Sequence, residues 1–134
     1  MPFERGARPA VVTLVEHKEL TLLQMPNLGD EVSSHGMLWF HLPILDVSIP
    51  DDDFEIAWET AGEKLRSMLA DGSDVVVHCR GGHGRAGTIA ARLLIELGVG
   101  PETAIANVCQ GRPGAIETLA QEQFVLGLRP IPRP

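Results

Sequence analysis

The chain has 134 residues, a formal net charge of −7 and 44% hydrophobic residues, which suits one domain over 1–134 with one hydrophobic core. No stretch approaches the ~20 apolar residues that a membrane helix needs, and the acidic balance argues against a nucleic-acid or anionic-membrane partner. Met1 to Pro9 is polar with no apolar run of the signal-peptide kind, and Cys79 and Cys109 are the only cysteines, so the expectation is a cytoplasmic chain with thiols and no disulfide framework.

Val11 to Val15 is a β-branched run short enough for a buried strand. Asn27 and Gly36 bracket a short helical stretch as N-cap and C′ glycine. Met37 to Leu42 reads as a second strand, ended by Pro43. Asp51 to Asp53 suits the cap of a helix whose stripe is Phe54, Ala57, Trp58, Ala61, Leu65, Met68 and Leu69. Asp71-Gly72 stops that helix. Val75-Val76-Val77 has no polar alternation and predicts a strand at the centre of a parallel sheet. Ile89, Ala90, Leu93, Leu94 and Leu97 mark the next helix, closed near Gly98. Pro101 suits the first position of another. A last helix is expected from Ile116 or Glu117 to about Leu128, followed by a loose proline-rich tail over 129–134. Strands alternating with helices predict an α/β fold: a central, mostly parallel sheet of four to five strands flanked by helices. Ligands in such sheets bind beyond the carboxyl ends of the strands.

The segment His78-Cys79-Arg80-Gly81-Gly82-His83-Gly84-Arg85 lies at that edge. It leaves a buried strand and enters a helix. Its glycines let successive backbone N–H groups turn inward around an anion. The helix N-terminus adds unpaired N–H groups and the positive end of a dipole. Arg85 offers a planar fork for two phosphate oxygens. The donors that hold phosphate also favour a thiolate on Cys79, at the floor of the cradle. A nucleophile beneath a bound phosphate is poised for in-line displacement. The expected phosphate-binding set is Arg80, Gly81, Gly82, His83, Gly84 and Arg85. His78 is expected to hydrogen-bond backbone and hold the loop. Cys109 reads as a small buried apolar residue.

Displacement also needs an acid for the leaving oxygen. Asp46 is the first candidate, in the proline-bounded segment Pro43-Ile44-Leu45-Asp46-Val47-Ser48-Ile49-Pro50, which is placed to hang over the pocket as a lid. Asp51, Asp52 and Asp53 compete with it, although at least one of them suits a helix cap better.

His78-Cys79 through Arg85 matches H-C-x-x-G-x-x-R, and the chain resembles the cysteine-based, dual-specificity protein phosphatases. It is most similar to the kinase-associated phosphatase family and its bacterial relatives. Glu19-Leu20, Met25-Pro26-Asn27-Leu28, His41-Leu42-Pro43-Ile44-Leu45-Asp46, Gly114-Ala115-Ile116-Glu117-Thr118 and Gln121 also resemble that family's segments. The resemblance implies the cysteine-phosphatase fold and a hydrolase that uses neither metal nor organic cofactor. It implies a phosphocysteine on Cys79, Arg85 clamping the phosphoryl oxygens, and Asp46 serving as acid and then as base. It offers Gln121 as a residue that helps place water, against a plain helix-surface role. Two departures stand out. Ala86 follows the arginine where the family has Ser or Thr, and Thr88 is out of register with that position. Arg80 and His83 are basic, as in phosphatases that act on inositol lipids; as solvated loop residues they carry no such meaning.

The first functional expectation is therefore a phosphatase acting on phosphorylated protein side chains. The second is a phosphatase on a small or polyanionic substrate such as an inositol phosphate, phospholipid headgroup, nucleotide or RNA 5′ end. A catalytically quiet phosphate-binding module is the third, supported by Ala86 alone. A rhodanese-like sulfurtransferase fits His78-Cys79 and Asp46 less well.

Overall fold

Alternate residues of the three strands divide between two environments, and that division orients the whole molecule. The structure is a computed structural model that describes residues 8–80 and 84–132. β1 (Ala10–Thr13) lies between β2 (Leu38–His41) and β3 (Val75–His78), parallel to both. Ala10, Val12, Leu38, Phe40, Val75 and Val77 face the main core, together with Leu14, Phe54, Trp58, Leu65, Met68, Ile89 and Leu93. A period of two sends Val11, Thr13, Trp39, His41, Val76 and His78 to the other face.

Two expectations about the sheet need correction. Among the described residues it has three strands, rather than four to five. Its centre is β1, with β3 at its edge, and Val76 is 53% exposed. The unbroken valine run reads as a doubly covered strand, yet only Val75 and Val77 reach the core.

Helices occupy the intervals. α1 (His17–Leu22) is a single short helix that hydrophobic period does not predict. α2 (Leu28–Ser34) starts after Asn27, whose side chain makes no capping bond, and ends before Gly36 at φ +78°. α3 (Asp52–Ala70) is capped by Asp51, whose carboxylate accepts the Phe54 N–H at 2.8 Å. α4 (Arg85–Glu96) is buried along almost its whole length. One side of α4 meets the main core; Ala91 and Ile95 on the other meet Ala104 of α5 (Pro101–Gly111) and Val125 of α6 (Leu119–Leu126).

α6 begins two to three residues later than expected because Thr118 caps it: the Thr118 hydroxyl accepts the Gln121 N–H at 3.0 Å. Within the expected tail, the Ile131 N–H donates to the Glu96 carbonyl at 2.9 Å. An ionic cluster ties α3 to α4. Glu96 accepts from Trp58 Nε1, Arg66 Nη1 (2.7 Å) and Arg92 Nε (2.9 Å), while Arg92 forks onto Glu55 and lies over the Trp58 ring at 4.8 Å. No helix among the described residues is long and apolar enough to cross a membrane.

Candidate active site

β3 delivers Cys79 at the carboxyl edge of the sheet, and α4 starts at Arg85. Between them Gly81, Gly82 and His83 lie outside the described residues. The chain re-enters at Gly84 with φ +67° and ψ −85°, backbone that only glycine adopts without strain. A Cβ there would also lie 2.9 Å from Gln121 Nε2. Three residues on, a Cβ at Gly87 would lie 1.8 Å from the Ala115 carbonyl, so α4 and the segment leading to α6 approach as closely as backbone allows. These two contacts bring α6 against the start of α4.

The turn into α4 points its first amides back at the sheet. The Ala86 N–H donates to Cys79 Sγ at 3.4 Å. Thr88 gives its hydroxyl to the Gly84 carbonyl at 2.7 Å and buries it there.

Arg85 is fully buried at the start of the same helix. Its guanidinium has two forked edges. Glu19 takes one: Nη1 donates to Oε2 at 2.8 Å and Nη2 to Oε1 at 3.0 Å. Nη1 also donates to the Ile44 carbonyl at 3.0 Å. Among the described residues the other edge, Nε with Nη2, carries only Asp46 Oδ1 at 3.3 Å from Nη2, and buried Nε has no partner among them. A buried donor without a partner costs roughly 1–3 kcal/mol, and the geometry of this fork matches an anion with two oxygens. Burial by itself pushes the Arg85 pKa down; the hydrogen-bonded Glu19 carboxylate outweighs it, and the net shift is upward.

Asp46 lies in the turn after β2, its side chain 62% exposed. Its Oδ1 accepts the Val47 N–H at 2.9 Å, and its carbonyl accepts the Ser48 hydroxyl at 3.2 Å. Val47 stands at φ +53°, a strained conformation for a β-branched residue at ~1–3 kcal/mol. Arg85 pins this turn at Ile44. Gln121 pins it at Ser48, where Nε2 donates to the carbonyl at 3.2 Å.

Cys79, Arg85, Asp46, Gly84 and Gln121 thus converge. His78 keeps to the sheet: its Nε2 and the Thr13 hydroxyl share a 2.6 Å hydrogen bond, because β1 and β3 place the two side by side. This bond is to a side chain; the loop residues 81–83, which the expected backbone bond would hold, lie outside the described residues. Thr13 also accepts from Trp39 Nε1 at 2.8 Å, and burial lowers the His78 pKa. Arg80 is exposed, and its charge helps keep Glu19 ionised. Cys109 sits half-buried on α5. Asp51 is occupied as the α3 cap.

The profile of a family described as "Swiss Army Knife protein, DSP-PTPase phosphatase domain" matches residues 10–125. The chain belongs to this family. Among similar proteins, human cyclin-dependent kinase inhibitor 3 is 35% identical over 112 residues, covering 80% of this chain and 50% of that protein. The chain therefore spans about half the length of the curated relatives it matches. Two solved structures share the fold. Kinase-associated phosphatase, with its catalytic-site cysteine replaced by serine, superposes with a TM-score of 0.77 at 30% identity, covering 90% of this chain and 67% of that one. Tk-PTP in its active form superposes with a TM-score of 0.71 at 33% identity, covering 91% and 77%.

Glu19 is the site residue of this phosphatase domain that sequence reasoning did not single out. It is 7% exposed, and its pKa is lowered chiefly by the Arg85 hydrogen bonds. The local signal was a reciprocal cap, with Glu19 Oε2 accepting the Glu16 N–H at 2.8 Å. Glu19→Ala leaves a buried cation without its partner and is expected to cost ~3–5 kcal/mol, read as a lower urea midpoint. A depressed carboxyl pKa contributes stability above its unfolded value of ~4.3, lost as pH falls through the folded value. The gap between wild type and Glu19→Ala is therefore expected to be full at pH 7 and to narrow below pH ~4. A gap unchanged down to pH 3 contradicts the ion-pair account.

Proposed function

We propose that this chain is a metal-independent phosphomonoester hydrolase that works through a phosphocysteine, acting first on phosphotyrosine, phosphoserine or phosphothreonine of proteins. The observation that carries this reading is the open Nε/Nη2 fork of Arg85 beside Cys79 Sγ. Family membership supports the same chemistry. In the first step the Cys79 thiolate attacks phosphorus, the P–O bond breaks, and Asp46 gives its proton to the leaving oxygen. Arg85 and the loop amides hold the equatorial oxygens. In the second step water attacks phosphorus, Asp46 takes its proton, and the P–S bond breaks to return the thiolate. The Ala86 N–H supplies that sulfur with a hydrogen bond although the side chain brings no hydroxyl. The domain spans 1–134 and works in the cytoplasm, where Cys79 and Cys109 stay thiols.

The test is phosphate release from phosphotyrosine and phosphothreonine peptides, inositol phosphates and nucleotides, with and without chelator. Phosphopeptides are expected to give the highest kcat/KM, unchanged by chelator. Preference for inositol phosphates transfers the reading to a polyanionic substrate, which exposed Arg80 favours. No release from any substrate leaves a binding module. Activity lost to chelator and restored by metal overturns the metal-independent mechanism.

A further inference from the structure

Gln121 is fully buried at the third position of α6. Its Oε1 accepts the N–H groups of Glu117 at 2.9 Å and Thr118 at 3.0 Å. Both lone pairs of a carbonyl oxygen are then occupied. Nε2 donates to the Ser48 carbonyl at 3.2 Å, across 73 residues of chain. The same amide group lies against Gly84, where even a Cβ would crowd it. One side chain therefore touches the cap of α6, the glycine that opens α4 and the turn that carries Asp46.

That turn has its own reason to need holding. Val47 is strained, Asp46 is largely exposed, and the bonds from Asp46 Oδ1 to Val47 and from Ser48 Oγ to the Asp46 carbonyl are local. Among the described residues, the hydrogen bonds to the rest of the fold that bracket Asp46 are those of Ile44 with Arg85 and with the Leu14 carbonyl on one side and Gln121 to Ser48 on the other. Arg85 is also the oxyanion clamp, so its grip on Ile44 couples the turn to bound phosphate. Gln121 holds the other end without being part of the clamp.

We infer that Gln121 is a positioning residue for the acid: it latches the 45–48 turn to the start of α4 so that the Asp46 carboxyl meets the leaving oxygen. It does not orient the hydrolytic water, because its acceptor oxygen is occupied by the α6 cap. The inference rests on the phosphatase reading for its consequence in catalysis, and on geometry alone for the latch.

Gln121→Glu separates the two functions of the side chain. A glutamate at this position keeps an acceptor for the Glu117 and Thr118 amides, as a capping box requires, but turns an oxygen toward the Ser48 carbonyl. Gln121→Met removes all three side-chain bonds at similar length. Backbone amide exchange of 45–48 is expected to rise several-fold in both variants, because opening the turn then breaks one hydrogen bond fewer, with α6 amides unchanged in Gln121→Glu. The kcat/KM for a phosphothreonine peptide is expected to fall ~10-fold or more relative to that for 4-nitrophenyl phosphate, whose leaving group needs little protonation. Gln121→Met, which adds no charge, separates loss of the latch from an effect of the glutamate's charge on Asp46. Unchanged exchange at 45–48 overturns the latch. Equal losses on the two substrates overturn the role in acid positioning, and a loss confined to phosphocysteine breakdown, seen as a larger burst, makes Gln121 a water-orienting residue instead. A wild type inactive on both substrates sinks the phosphatase reading, while the exchange result still decides the latch.

Discussion

Replacing Cys79 by serine is expected to abolish turnover, by ~10⁴-fold or more in kcat, while inorganic phosphate still binds. Two features of the site separate these outcomes. In the proposed mechanism anion binding rests on the start of α4, where the Ala86 N–H is the amide bonded to the sulfur, and on the buried Arg85 fork. In the proposed mechanism nucleophilic attack rests on a thiolate, and a serine hydroxyl is a far weaker nucleophile at its free pKa; among the described residues, His78 is engaged with Thr13 and its pKa is lowered by burial. A factor of ~10⁴ is about 5.5 kcal/mol of barrier, far beyond what one bond from the Ala86 amide supplies. Cys109→Ser is expected to leave activity near wild type, since Cys109 lies on α5 outside the site. Phosphate release and phosphate titration calorimetry on both variants check this. Retained turnover in Cys79→Ser ends the phosphocysteine mechanism, and loss of both binding and turnover shifts the role of Cys79 to holding the loop.

How much of this was legible in the sequence differs from residue to residue, for physical reasons. The strand, glycine-rich loop and helix around Cys79 were readable because each signal is local: a valine run, glycines where amides must turn inward, and an amphipathic period after Arg85. Asp46 was readable as the first of several carboxylates after β2, from its proline-bounded segment and the resemblance; its contact with Arg85 and the cap bond of Asp51 to Phe54 are tertiary and local facts that the structure adds. Glu19 was not readable by period, because α1 has six residues, too few for an apolar stripe to repeat. Its function depends on a buried contact 66 positions away, which spacing does not encode. Gln121 carried a signal that went unused: Thr118-x-x-Gln121 is a capping box, and it sets both the start of α6 and the direction of the amide. The sheet order failed for a related reason. A valine run reports apolarity, but whether both faces of a strand are covered depends on helices elsewhere in the chain.

Asp46→Asn is expected to lower kcat on alkyl phosphates by ~10²–10⁴, about 3–5 kcal/mol, with a much smaller loss on aryl phosphates of good leaving groups. The alkoxide of a serine or threonine leaves only with a proton, and Asp46 is the carboxyl that the 45–48 turn holds beside the Arg85 fork. The geometry adds a second consequence. Asp46 Oδ1 stands 3.3 Å from Arg85 Nη2, on the edge that a phosphate oxygen needs, so the carboxylate and the phosphate compete for one donor. Asp46 is largely exposed, so its pair with Arg85 is worth no more than ~1 kcal/mol, and its removal is expected to tighten inorganic phosphate binding by at most ~5-fold. Asp46→Asn therefore separates from a general loss of structure: turnover on a phosphothreonine peptide falls steeply while phosphate affinity holds or rises. Asp51→Asn removes the cap of α3 and is expected to lower stability with no dependence on leaving group. If Asp51→Asn or Asp52→Asn shows the leaving-group dependence and Asp46→Asn does not, the acid lies at the start of α3. The contact of Asp46 with Arg85 is then only an ion pair at the mouth of the site.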